Sequence, residues 1–196
     1  VSETSVAVTG VTLNKTETSI FVGGSAISAP IIGEDFNWSG GDGTYQVLDD
    51  GSGNWRIKFL SSGTFTPLKD MVIDAFLVGG GGGRSYVLCG GGGAGYTTTV
   101  RSVVVAANTA YPIVVGAAGT QTYTVQSDGG TSSAFSAVAN GGHHSVSGDK
   151  TWKKTGANGG SGGGGQYADG GTDGSDGATG DTAGGKGQGT TTREFG

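Results

Sequence analysis

Residues 74–100 read DAFLVGGGGGRSYVLCGGGGAGYTTTV. An apolar run with the pattern of a buried strand passes directly into five glycines, Gly79 to Gly83, and four more follow from Gly90 to Gly93. Glycine loses more conformational freedom on folding than any other residue. Ordering such a run costs roughly 1–2 kcal/mol per residue in backbone entropy. A chain that sets these runs against its core either carries them as flexible linkers or builds with them, and building requires a partner for every buried backbone N–H and C=O.

Composition narrows the choice. The 196 residues include 44 Gly, only 3 Pro and 34% hydrophobic side chains, against roughly 45–50% apolar in ordinary globular domains. The formal charge of -5 leaves no basic footprint for nucleic acid or an anionic membrane. Cys89 is the single cysteine, so no disulfide forms within the chain, and it reads as a small residue beside the glycines. No run reaches the roughly 18 apolar residues of a membrane span, and no secretory signal is visible. The first residue is Val1, which reads as a piece of a longer or processed protein.

The apolar pattern is that of β structure. WRIKF puts Trp55, Ile57 and Phe59 on one face and Arg56 and Lys58 on the other, the two-residue period of a half-buried strand. TYQVL precedes it, and DDGSGN between them is a hairpin-type connector. MVIDAFLV, residues 71–78, is apolar on both faces except at Asp74, as in a central strand. YTTTVRSVVVA, YPIVVG and TYTVQS are further strand candidates, and no stretch keeps helical spacing over three turns. Trp55, Ile57, Phe59 and the apolar residues of 71–78 are the expected core.

Beyond residue 140 the only period is one of glycine. Gly171, Gly174, Gly177 and Gly180 recur at every third position, matching the three residues per turn of a polyproline II helix. Collagen shares this period but needs abundant proline, and Pro30, Pro67 and Pro112 all lie earlier. A linker needs no period. Side-by-side three-fold helices of glycine remain as the favoured reading: their glycines face neighbours, their Asp, Thr and Ser face water, and their outward-pointing backbone groups bond from helix to helix. The fold class expected is all-β, an antiparallel β-sandwich whose strands lead into a bundle of polyglycine II helices.

GTFTPLKDMVIDAFLVGGGGG, then GGGGAGYTTT and AYPIVVGAAG, with GGTSSAF, ANGG and GQGTTTREFG after them, resemble the glycine-rich domain of phage and prophage tail proteins. The resemblance covers about residues 44–196. More distantly, the layout is similar to the glycine-rich extracellular domain of the anaplastic lymphoma kinase receptors and to T-even tail-fibre tip adhesins. VTGVTLNKTETSIFVGGS resembles the opening of a bacterial Ig-like repeat. Three parts are expected: 1–33, a connector or partial Ig-like segment; 34–140, a β-sandwich core with glycine-run insertions; and 141–196, the polyglycine II region. Relatives of this type usually continue past REFG into another strand and glycine run. The resemblance implies recognition of a bacterial surface glycan or outer surface protein. It also implies association with other tail proteins, possible homo-oligomers, and a place in the virion tail or on a bacterial surface. The alternative is a purely structural domain of such a protein.

Chemistry-bearing residues are few. VGGGGGR lacks the Lys–Ser/Thr ending of a phosphate-binding loop, and no nucleophile–base set is readable, so no catalytic residue, cofactor or enzyme activity is expected. His143 and His144, read as strand neighbours, point to opposite faces and do not share a metal. Asp169, Asp173, Asp176 and Asp181 lack the nine-residue repeat of calcium-binding glycine motifs. Larger side chains interrupt the glycines at Arg84, Tyr86 and Leu88, at His143 and His144, at Trp152, Lys153 and Lys154, and at Tyr167. Aromatic and cationic groups on loops over a rigid scaffold suit receptor contact. These are the candidate receptor-binding residues.

Overall fold

The computed structural model describes residues 11–13, 20–22, 25–27, 29–49, 55–84, 90–120, 125–145 and 155–191. Twelve strands are defined among them, and no helix. β1 (Val11–Leu13), β2 (Ile20–Val22) and β3 (Ser25–Ile27) form one antiparallel sheet by backbone pairing. β4 (Phe36–Trp38), β7 (Gly63–Pro67) and β10 (Tyr111–Ile113) form another in the order β10-β7-β4. β5 (Tyr45–Asp49) pairs with β6 (Trp55–Phe59), β8 (Met71–Val78) with β9 (Thr97–Val105), and β11 (Ser132–Ala134) with β12 (Ala137–Ala139). All these strand pairs are antiparallel.

One core serves the last four sheets. Phe36, Trp38, Phe65, Leu77 and Ile113 are buried together with Ala134, Ala137 and Ala139. Trp38 stacks on Phe59 at 4.4 Å between ring centroids, and Phe36 meets Tyr45 edge-on at 5.7 Å. Ile57, Phe59, Met71 and Ala75 pack against this cluster only partly buried, and Trp55 is half-buried outside it. The expected core is thus displaced toward Phe36, Trp38 and Phe65. The central position expected for 71–78 is also corrected: among the described residues β8 pairs only with β9, and Val72 on its outer side is 65% exposed. Asp74, the lone polar residue of that strand, sits where the β8–β9 register shifts. Its carboxylate accepts the Ser102 N–H (2.8 Å) and pairs with Arg101 (3.0 Å), and Ser102 takes a φ of 57° at this bulge.

The glycine runs grow out of these sheets. Beyond the Val78↔Thr97 pair, Gly79 N–H donates to Tyr96 O and Gly82 N–H to Gly93 O. Beyond Ser132↔Ala139, Gly129 donates to Gly142. Beyond the Val114↔Ser133 bridge, Gly130 donates to Ala117 and Ser127 to Thr120. Each ladder passes from the two-residue step of a strand to steps of three. Successive residues of one run serve different neighbours: Gly79 and Gly82 bond residues 93–96, whereas Gly80 and Gly83 bond Gly130 and Ser127. That is three-fold helix geometry, with about three residues per turn and no bond inside the helix.

Tracing every such bond gives a layered bundle, a full outer layer over a middle one and a single run, 168–172, beyond it. The middle layer runs 115–120, 79–84, 90–96, 161–165 and 174–180, each bonded to the next. The outer layer, 125–131, 140–145, 155–160 and 182–191, sits over it, each run bonded to two adjacent runs of the middle layer. Residues 168–172 bond to 161–165 and to 174–180. Residues 171–180, expected as one period, are therefore two runs. Ser175 N–H donates to Thr172 O in a turn, and Gly174 takes a φ of +84°.

Close approach is what demands glycine here. A Cβ on Gly80 would lie 1.9 Å from Ala117 O, whereas one on Gly81 would meet nothing nearer than 3.9 Å. Gly80→Ala is expected to destabilise the protein by about 1–3 kcal/mol, the usual cost of overpacking. Gly81→Ala leaves stability unchanged or raises it by up to about 1 kcal/mol through the unfolded state. Urea unfolding of the two variants checks this, and equal midpoints contradict the bundle.

Candidate functional site

The topology fixes which ends of the runs are free. Residues 79–84 leave β8, 90–96 enter β9, 115–120 follow β10, 125–131 enter β11, and 140–145 leave β12. Their strand ends meet the core. At the other end Gly83 bonds Ser127 and Ser145, and Ser127 bonds Thr120. A Cβ on Gly90 would lie 2.5 Å from Thr155 O, which brings residues 90 and 155 to that same end. Residues 83, 90, 120, 127, 145 and 155 therefore share that end. Tyr86, Leu88, Cys89, Trp152, Lys153 and Lys154 lie outside the described residues, as do parts of the TYTVQS and DDGSGN candidates. Arg84 is described and exposed at this end. Tyr167 is 79% exposed in the turn closed by Ala168 N–H to Gly165 O, with a φ of 59°, and that turn lies toward the same end, since Gly91 N–H donates to Gly164 O.

His143 and His144 are not divided between two faces. In a three-fold helix successive side chains are about 120° apart, not 180°, and both imidazoles reach one carboxylate. Asp128 Oδ2 is 3.0 Å from His143 Nδ1, and Oδ1 is 2.5 Å from His144 Nδ1. The His144 N–H also donates to Oδ1 at 2.8 Å. That backbone bond first, and then the two imidazoles, hold the Asp128 carboxyl down to about 2 against the opposing effect of partial burial. The cluster stays open, with side-chain exposures of 46% for Asp128, 54% for His143 and 35% for His144. It fastens the 125–131 run to the 140–145 run by side chains, beside the backbone bond from Gly129 to Gly142. Among the described residues no group of three His, Cys, Asp or Glu is arranged to hold a metal ion, and Asp169, Asp173, Asp176 and Asp181 are exposed.

The same three-fold step selects which side chains the outer layer displays. Asp128-Gly-Gly-Thr131, Asn140-Gly-Gly-His143, Thr155-Gly-Ala-Asn158 and Ala183-Gly-Gly-Lys186 each place an exposed residue at every third position and small inward residues between. Asp128, Asn158 and Lys186 escaped the sequence reading, although the repeated x-Gly-Gly spacing carried the signal. Neighbouring runs are in step. His143 N–H donates to Asn158 O, Gly159 N–H to Lys186 O, and Lys186 N–H to the Asn158 side-chain Oδ1 at 2.7 Å.

Asp128 has a depressed folded carboxyl, so its stabilisation is present above the ordinary carboxylate range near 3.8 and is lost as pH falls toward about 2. Because the group is nearly half exposed, screening holds the effect to about 1 kcal/mol or less. Asp128→Asn is expected to unfold at lower urea than the parent at pH 7, with the gap closing between about pH 4 and pH 2. A gap independent of pH contradicts the assignment.

Compared with known proteins, the chain matches the family model described as a glycine-rich domain over residues 60–195. No curated protein and no solved structure matches it.

Proposed function

The chain belongs to the glycine-rich domain family, and from that premise we propose that it is a phage or prophage tail-associated adhesin domain that recognises a bacterial surface receptor. What supports this reading is the convergence of the run ends. Gly83, Thr120, Ser127 and Ser145 are mutual neighbours at the end away from the β core, and residues 90 and 155 lie beside them. Arg84 is exposed at that end; in the sequence Tyr86 and Leu88 follow it, and Trp152, Lys153 and Lys154 come just before residue 155. A bundle held by backbone bonds presents such segments from a rigid base, the arrangement by which scaffolds carry recognition loops. His143 and His144 approach the same end along the outer layer, and the turn of Tyr167 caps the neighbouring 161–165 run there.

In this reading the domain works by binding alone, without catalysis or cofactor, in a virion tail or on a bacterial surface. Its partners are a surface glycan or outer surface protein and other tail proteins, with copies of itself as a further partner. The competing reading is a purely structural glycine-rich domain of such a protein.

Labelled chain incubated with a panel of bacterial cells separates the two. Binding to at least one strain is expected. It is expected to fall by about tenfold, or about 1.4 kcal/mol, in the Arg84→Ala/Trp152→Ala variant, with the melting temperature unchanged. Thr172→Ala, at an exposed position away from that end, leaves binding intact. Failure to bind any strain, or undiminished binding by the double variant, favours the structural reading.

A further inference from the structure

The open face of the outer layer is a regular array of polar side chains, and the geometry points to a role for it: a docking surface for a neutral, polyhydroxylated, repeating polymer, that is, a surface polysaccharide. This rests on the surface-recognition reading above and supplies the chemistry of the partner. It extends the contact from the ends of the runs onto their sides.

Four adjacent runs contribute one transverse row. Asp128 pairs with His143, His143 N–H bonds Asn158 O, and Asn158 Oδ1 accepts the Lys186 N–H. Thr131 lies three residues after Asp128, and Asn140, Thr155 and Ala183 lie three residues before His143, Asn158 and Lys186, all exposed. The row therefore offers a carboxylate, an imidazole, an amide and an ammonium side by side, with hydroxyl and amide groups in the next. Its repeat along each run is three residues, about 9 Å at the rise of such a helix. The backbone beneath is fixed by bonds to two underlying runs, so these short side chains are pre-organised and little ordering cost attends binding.

The chemistry of the face excludes other partners in turn. A protein interface draws its energy from buried aromatic and apolar anchors. The described residues of this face supply only Val125, one step before Asp128 and 56% exposed, and Ala183 in that role, too little for such an anchor. Nucleic acid is gripped through several Lys or Arg contacts to phosphate, and here Lys186 stands opposite Asp128 at the two ends of one row. A lipid surface needs an apolar face. Closely spaced donors and acceptors with balanced charge match the hydroxyl groups of a neutral glycan, and a periodic face matches a polymer of repeating units.

The test uses the full chain on an array of immobilised neutral bacterial O-polysaccharides. The Asn140→Ala/Lys186→Ala variant is run beside it, since these exposed side chains leave the backbone bonds of the bundle in place. The parent is expected to be retained on at least one polymer, and retention is expected to survive about 1 M salt, where charges beyond about 3 Å are screened. In the double variant retention falls by about tenfold or more with the melting temperature unchanged. No retention on any neutral polymer, retention abolished by salt, or equal retention of the variant overturns the assignment. Cell binding that is lost on protease treatment and on Arg84→Ala/Trp152→Ala, without polysaccharide retention, overturns this inference while leaving the recognition reading standing. Absence of cell binding overturns that reading itself.

Discussion

The bundle that grows out of the β sheets depends throughout on one interaction, the backbone hydrogen bond between neighbouring glycine runs. Each bond is worth about 0.5–1.5 kcal/mol net, close to the 1–2 kcal/mol that ordering one residue costs. No single run is stable alone on that balance. Stability comes from sharing. Gly162 lies in a run with bonded neighbours at 157, 171, 175 and 185, so removing one run strips partners from several others. The bundle is cooperative because its members are nearly break-even.

The β core solves the nucleation problem that such a bundle faces. The β8–β9, β11–β12 and Val114–Ser133 ladders hand their register directly to pairs of glycine runs. Those runs begin life already antiparallel and aligned. Residues 155–191 have no strand of their own, and they build outward on the runs already laid down, through bonds such as Ala157 to Gly91 and Gly171 to Gly162. Burial of Phe36, Phe65 and Leu77 therefore supports glycines far from any apolar side chain.

How much of this was legible in the sequence follows the same division. Sequence pattern located β5, β6, β8, β9 and β10 but not β4, β7, β11 or β12, and WRIKF pairs with TYQVL in the register its spacing implies. The β11–β12 turn was not legible, because Phe135 and Ser136 occupy it with φ of 50° and 63° where Gly or Asn is usual. Packing of the Phe135 ring on Tyr111 and Phe65 compensates, and local sequence carries no trace of that. In the glycine zone the period was real but was read in the wrong register. Gly171 to Gly180 spans a turn, while the spacing x-Gly-Gly at 128, 140 and 183 marks the helices themselves. His143 and His144 were misread for a related reason, since a two-fold rule was applied to a three-fold backbone. The candidate contact residues at 84 and 143–144 were visible as interruptions of glycine. Asp128, Asn158 and Lys186 gain meaning only when runs distant in sequence are laid side by side.

A helix that repeats every three residues also constrains how such a chain can change length. Three residues inserted into the 140–145 run lengthen it by one full turn and return His143 and its successors to the same direction. One or two inserted residues rotate everything downstream by about 120° or 240°. Side chains would then be driven into carbonyls such as that of Ala94, which a Cβ on Gly142 would already approach to 2.4 Å. Length variation within the runs is therefore quantised in threes, whereas the segments that link run to run are free of that arithmetic. Insertions and deletions among relatives should sort accordingly, in multiples of three inside the bundle and of any size between its members.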